Sequence, residues 1–402
     1  MRYSAHLRAV DDNLKLSAWV VLISVALILI GAAGLAVGFA LSAHETWAWL
    51  LIDFVIFSGI ANGMLAWAVA FRIGQARWTP AINRIAHSAI AFIPFLAVVL
   101  IALLAGVAGW VPWIAHPVRT KLTWLNWPAF VTRDFLSLAV LWILFFILVR
   151  WSLNADEKAR RGEDITESDH HRLNSIALAC AMIYSISVTI IGWDFIMSLA
   201  PRWVSTMFGP YYFTSDMYAG LMVIIIMSAW LAKPLGVEEF LQSQQFKDLG
   251  NLMLGMSLLL MGFFYAQYVT IWYENLPDES PFLIIRYLRG PWSYIGWAAF
   301  IIEYGAPFLL LQSRYLKMHR NLLWPVAALG LAGFALERYL LIGASIIQTR
   351  TLLFPAALPA IFGFAGVFTL LVSAFLKRYS PISKADEALR KVYREIEKVE
   401  TF

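Results

Sequence analysis

Val21-Leu22-Ile23-Ser24-Val25-Ala26-Leu27-Ile28-Leu29-Ile30 carries one hydroxyl and no charge, and the run from Val140 to Leu148 is likewise uncharged. Neither alternates polar with apolar residues, as a strand of a membrane barrel does. Each sits inside a longer apolar stretch. Extending the same reading outward along the chain gives ten of them, at about 17–41, 47–71, 85–108, 132–151, 173–200, 212–232, 249–273, 291–314, 320–343 and 354–377. At 1.5 Å rise per residue, about 20 residues cross a hydrocarbon core of about 30 Å, so each stretch is long enough to span. The sequence therefore predicts an all-α polytopic membrane protein: one ten-helix domain over 1–380 and a polar tail at 381–402.

Composition agrees. Hydrophobic residues make up 60% of the chain and charged residues 14%, with mean hydropathy +0.69; ordinary globular domains carry far more charge. The first apolar run starts late, has full length and lacks a small-residue cleavage site, which reads as a first spanning helix and not as a cleaved signal.

Basic residues set the expected orientation. One side collects Arg2, Arg8 and Lys15, then Arg72, Arg77 and Arg84, Arg150 to Arg172, Lys233 and Lys247, Arg314 to Arg320 and the basic tail. The other side has Arg119, Lys121, Arg133, Arg202, Arg286, Arg289 and Arg350, and Arg338 falls inside a span. The positive-inside bias places both termini in the cytoplasm. The pI near 9.2 is thus a topology signal that needs no nucleic-acid partner.

Redox ligands are scarce. The lone Cys180 rules out an internal disulfide or a cysteine-held iron–sulfur cluster within this chain, and only His87 of the seven histidines lies in a span, too few to hold a haem between two helices. His170 and His171, beside Glu167 and Asp169, have the makings of a metal site, but the polar connector 150–172 reads better as a solvated loop. The connector 109–131, with Trp110, Trp113, Trp124 and Trp127, reads as an interfacial belt. The tail spaces Ala388, Leu389, Val392, Tyr393, Ile396 and Val399 as one face of an amphipathic helix.

A charge deep in a bilayer costs several kcal/mol unless paired or hydrated, so ionisable residues within spans are the functional candidates. They are Asp53, His87, Asp134, Asp194, Asp216, Glu303, Glu337 and Arg338, with Tyr265, Gln267 and Tyr268 as polar companions and Glu274 at a span's end. Topology places most of the carboxylates toward the outer face, Glu303 near the middle and His87 near the cytoplasmic face. Asp134 follows Arg133 and is read either as its local ion-pair partner or as a helix cap. Glu337 and Arg338 point about 100° apart on a helix, so they are expected to pair with groups on other helices such as Glu303. Asp53, Asp194 and Glu303 are the hardest to explain structurally. Gly34 and Gly38 predict a close helix contact, and Pro94 and Pro307 predict kinks that free a carbonyl.

Two longer runs carry a resemblance. Trp193-Asp-Phe-Ile-Met-Ser-Leu-Ala-Pro-Arg-Trp-Val-Ser-Thr-Met-Phe-Gly-Pro-Tyr-Tyr212 and Tyr265-Ala-Gln-Tyr-Val-Thr-Ile-Trp-Tyr-Glu-Asn-Leu-Pro-Asp-Glu279, with Asp248-Leu249-Gly250-Asn251 before the second, resemble the NrfD/PsrC-like family. Within it they are most similar to the branch that supplies the second quinone-binding-type membrane subunit of alternative complex III. The resemblance spans nearly the whole chain. It implies two four-helix bundles, helices 2–5 (about 45–200) and helices 6–9 (about 212–343), flanked by helices 1 and 10. As partners it implies iron–sulfur and multihaem cytochrome subunits and a paralogous NrfD-like membrane subunit, and as cofactor a quinone or quinol, passing electrons to cytochrome c or an oxidase.

The family's quinol pocket pairs a histidine with an aspartate on the outer side, whereas this sequence has no histidine in the outer half of any span. Two expectations follow. Asp194 or Asp53 accepts a quinol proton with Tyr184 or Trp193 near the ring, or the chain is a proton-conducting companion of a quinol-binding paralogue; the proton path would use His87, Asp134, Asp216, Gln267, Tyr268, Glu274, Glu303, Glu337 and Arg338. Alternative readings are a membrane anchor of another NrfD-type oxidoreductase such as polysulfide reductase, or a secondary transporter with Glu303 and Arg338 at its core. The histidine count makes one direct prediction: the chain purified alone shows no haem absorbance, and a Soret band would overturn that reading.

Overall fold

The computed structural model describes residues 17–76, 78–161, 163, 166–347 and 355–382. Ten of its helices are long and apolar enough to cross a membrane. They are α1 (Ala18–Leu41), α2 (Ala43–Ile73), α3 (Pro80–Ala105), α4 (Trp127–Arg160), α5 (Glu167–Phe195), α6 (Phe208–Leu231), α7 (Ser243–Glu274), α8 (Trp292–Leu310), α9 (Arg320–Ile346) and α10 (Ala360–Arg378). No strand occurs among the described residues. The amphipathic tail expected at 381–402 lies outside them from residue 383 onward.

Several helices outrun their apolar stretches, which corrects the reading of two connectors. α4 continues to Arg160 and α5 begins at Glu167, so the polar stretch 150–172 is mostly helix. Thr166 caps α5: its hydroxyl accepts from the Asp169 N–H while the Asp169 carboxylate accepts from the Thr166 N–H. His170 and His171 therefore stand in the first turns of α5, where the Arg72 guanidinium of α2 lies 3.3 Å from His170 Nδ1. No group of three or more metal-ligating side chains occurs among the described residues. α3 likewise starts at Pro80, since proline needs no donor in a helix's first turn. Arg84 is thereby drawn out of the connector into a helix, where it is buried and paired with Asp156 of α4.

α2 is the axis of the fold and is buried along nearly its whole length. It packs against α3, α5, α6 and α9; α5 also packs on α6, α4 on α5, α7 on α6, and α8 on α9. Lipid tails are as apolar as leucine, so close approach of backbones must hold these helices together. At the α2–α6 crossing Gly63 meets Gly220, and Gly59 meets Asp216. A Cβ on Gly63 would collide with the Asp216 carbonyl. Residues 59 and 63 meet 216 and 220 in the same order, so the two helices run parallel. Indole donors add cross-links: Trp67 Nε1 donates to the Met217 carbonyl at 2.8 Å and Trp142 Nε1 to Asn62 Oδ1 at 2.9 Å. The close contact expected at Gly34 and Gly38 is made with Pro359 and Ala357, leading into α10.

Both prolines interrupt their helices. α3 passes through a 3₁₀ segment at Ser88–Phe92 before Pro94, and the Ile90 carbonyl that Pro94 cannot bond accepts from the Ile93 N–H. α8 widens into a π segment at Ile301–Gly305 before Pro307. There the Glu303 carbonyl, which Pro307 cannot bond, accepts from the Tyr218 hydroxyl of α6 at 3.2 Å.

The starts of α2, α4, α6 and α8 share one face with three loops. His44 Nδ1 lies 2.7 Å from the Gly109 carbonyl, Lys121 Nζ donates to the Pro201 carbonyl, and Phe282 stacks on Trp203 at 3.6 Å. On this tryptophan-rich face Trp124 and Trp127 are exposed, whereas Trp110 and Trp113 are not, which corrects the belt reading for those two. Those two are buried in a ring cluster with Phe130, and Trp110 also packs on Phe195. Gly63→Ala should force α2 from α6 at about 1–3 kcal/mol and lower the thermal midpoint in detergent. Gly255→Ala, where nothing lies within 4 Å, should leave it unchanged; equal midpoints would refute the crossing.

Candidate functional site

Asp194 ends α5 on the tryptophan-rich face, and three donor groups converge on it. Arg133 Nε donates to Oδ2 at 2.7 Å and Trp124 Nε1 to Oδ1 at 2.8 Å, while the guanidinium also lies over the Trp124 ring at 4.0 Å. The Ser198 hydroxyl binds the Asp194 carbonyl. Arg133 thus pairs with Asp194, sixty-one residues away, and not with its neighbour Asp134; Asp134 is no helix cap either, because Asn126 caps α4 by accepting from the Ala129 N–H. Asp134 is fully buried, no N–H or O–H donor reaches either oxygen among the described residues, and its carboxyl faces that of Asp194. The fixed donors fall on Asp194, and none falls on Asp134.

Above this pair opens a cavity of about 290 Å³ lined by Trp124, Trp193 and Trp203, with Lys121, Ser198 and Thr206 at polar positions. Trp124 joins cavity and carboxyls, since its ring lines one and its N–H binds the other. Burial lowers Lys121 from the usual lysine range, against the opposing pull of Glu279. Burial, then Glu274, raises Glu279 above the ordinary carboxylate range.

A second cluster is centred on Arg338 of α9, fully buried. Nη1 donates to Glu337 Oε2 at 2.6 Å, and Nη2 donates to Asp216 Oδ1 and Ser215 Oγ of α6, both at 3.0 Å. The adjacent pair Glu337–Arg338 does close on itself, contrary to the helical-wheel expectation, because a long guanidinium folds back while its other nitrogen reaches α6. The guanidinium lies 4.5 Å from the ring centres of Tyr212 and Phe334. Glu303 stands in the π segment with its backbone against Gly333 of α9 and its carboxylate without a hydrogen-bond partner among the described residues. One residue on, the Tyr304 and Tyr211 hydroxyls meet at 2.9 Å. Three carboxyls and one guanidinium cannot all be ionised in such surroundings without stranding net negative charge. Tyr212 links the clusters, its ring lying against Gly192 two residues before Asp194 and beneath Arg338.

The other sequence candidates fall elsewhere. Asp53 is buried in α2 with both oxygens unpartnered among the described residues. Phe54 and Phe195, the residues after Asp53 and Asp194, touch at 5.8 Å, so Asp53 shares the level of Asp194. His87 is buried toward the arginine-rich end of α3, near Arg84. Gln267 is half-buried and its amide bonds its own helix at Phe263, while Tyr268 and Glu274 are exposed on α7, so the structure does not bring these three to either cluster. Sequence reasoning missed Tyr212, Ser215, Tyr218 and Tyr304; the spacing of 212, 215 and 216 on one helical face was the available signal. It also missed Arg286, which is buried in the turn before α8 and bonded to the Phe282 and Leu341 carbonyls and Ser345 Oγ.

A search against protein-family models finds none that matches this chain, and no curated protein matches it. Arg338→Met should strand the buried carboxyls and cost about 3–5 kcal/mol, seen as lost monodisperse protein on size exclusion. Adding Asp216→Leu should recover part of that yield; wild-type yield from Arg338→Met alone would dismiss the cluster as a stability element.

Proposed function

We propose that this chain is an ActF-like membrane subunit of a quinol:electron-acceptor oxidoreductase complex, supplying a quinone pocket and a proton path beside partner iron–sulfur and multihaem subunits. What carries the reading is the aromatic cavity of about 290 Å³ whose wall residue Trp124 hydrogen-bonds Asp194 of a two-carboxyl pair. The resemblance implies a bacterial cytoplasmic membrane, and the lysine and arginine bias puts both termini inside and the cavity on the outer side.

The residues suit a quinone headgroup. Trp124, Trp193 and Trp203 offer flat walls for a planar ring, and Ser198 and Thr206 offer hydroxyls to its oxygens. A bound quinol supplies two electrons, which leave to the partner subunits, and two protons. The chain's part is to take protons. Trp124 orients the Asp194 carboxylate and Arg133 holds its charge, while Asp134 beside it has no donor among the described residues. Because the family's histidine is missing, the carboxyl pair stands in for it as acceptor. The Arg338 cluster, reached past Tyr212, is the store deeper in the path, with Glu303 its unpartnered carboxyl.

A transporter reading needs broken helices in corresponding positions of the two halves. The breaks fall in α3, second of helices 2–5, and in α8, third of helices 6–9, which do not correspond and so favour the oxidoreductase reading.

The test is quinol-dependent acceptor reduction by the assembled complex. Asp194→Asn should slow turnover by about tenfold or more, the scale of a lost proton acceptor, and Glu303→Gln should slow it as well, with subunit composition intact. Full turnover in both variants would reduce these residues to structural roles.

A further inference from the structure

At the opposite, arginine-rich end, α4 and α5 enclose a second cavity of about 180 Å³. Its lining includes Trp151, Asn154 and Lys158 of α4 and Asp169, Arg172 and Leu173 of α5. Depth is fixed by helix length. α4 has 34 residues and α5 has 29, both well beyond the roughly 20 that cross the hydrocarbon, so their joined ends reach into the headgroup layer. Trp151, 40% exposed, marks that boundary, where tryptophan is favoured. Nearer the membrane centre by one to two turns, Phe146 of α4 and Leu178 of α5 are exposed apolar side chains.

The charges around this cavity do not cancel. Lys158 Nζ is held by both oxygens of Asp169 at 3.0 and 3.1 Å, and Asp169 also accepts from the Thr166 N–H and hydroxyl. Asp169 is thus fully engaged. Arg172, lining the same cavity, has no side-chain hydrogen bond or ion pair among the described residues. Two cations and one carboxylate leave one positive charge, with the Asn154 amide beside it.

We infer that this cavity is a headgroup site for an anionic phospholipid. One phosphodiester matches the single excess charge, Arg172 and Lys158 are the donors that meet its oxygens, and Asn154 is placed for a glycerol or headgroup hydroxyl. Trp151 and Leu173 form the apolar side of the cavity, where the acyl chains leave toward the membrane. That apolar side is what a lipid phosphate uses and a free phosphate does not.

The experiment is native mass spectrometry of the full chain released from nanodiscs of phosphatidylcholine with graded phosphatidylglycerol. A parallel arm uses phosphatidylcholine nanodiscs with millimolar inorganic phosphate. Wild type should retain one phosphatidylglycerol per chain in preference to phosphatidylcholine. Arg172→Gln should weaken that retention by about fivefold, the scale of one basic residue at a membrane surface. Arg161→Gln, which removes an exposed arginine paired with Glu157 and absent from the cavity lining, should leave retention unchanged. Equal retention of both lipids, an unaltered Arg172→Gln, an equal loss in Arg161→Gln, or phosphate displacing the lipid would each overturn the assignment. Arg172 is exposed, so its replacement leaves folding intact.

Discussion

The buried Arg338–Asp216 ion pair dictates how the helices around it are built. Hydrocarbon offers neither ion any hydration, so the guanidinium must find every partner within the protein. It draws one carboxylate and one hydroxyl from α6, one carboxylate from its own helix, and two aromatic faces. To bring α6 and α9 that close, the neighbouring helices give up side chains. Gly59 of α2 is bare where the Asp216 carboxylate lies, and Gly333 of α9 is bare where the Glu303 backbone crosses. The close α2–α6 packing and the charge cluster are therefore one feature: glycine makes the approach, and the approach excludes lipid from the ions.

What the sequence made legible follows from which signals are local. Apolar length fixed ten helices and their order, and intramembrane charge picked out Asp134, Asp194, Asp216, Glu303, Glu337 and Arg338, all of which the structure gathers into two clusters. Pairing was illegible where it depends on long side chains or distant loops. Arg133 bypasses Asp134 for Asp194, and nothing in local spacing announces that. Hydropathy also blurred the helix ends, since α3, α4 and α5 continue through polar residues that hydropathy assigns to loops. Helix face was equally hidden for α7. Its tyrosines and Gln267 look like site residues in a linear reading, yet the helix turns Tyr265, Tyr268 and Tyr273 outward.

The two clusters divide their carboxyls in the same way. Asp194 is fixed by Arg133 and Trp124, so its charge is held in place, whereas Asp134 beside it has no donor of its own. The Arg338 cluster repeats the division: Asp216 is anchored by the guanidinium, while both oxygens of Glu303 and one of Glu337 are left without donors. In each, a carboxylate anchored by a guanidinium sits beside a carboxyl that no donor reaches among the described residues.

The π segment of α8 fits this division. A π turn inserts one residue into the helical ladder and rotates the side chains after it, at a cost that regular packing does not bear unless something is gained. Here the gain is the aim of Glu303, whose freed backbone carbonyl is taken by Tyr218, leaving its carboxylate without a donor of its own in the interior. Pro307 lies within α8, four residues after Glu303, and the carbonyl it leaves free is the one that Tyr218 takes, so the break in the helical ladder and the unpartnered carboxyl meet at one residue packed against Gly333 of α9.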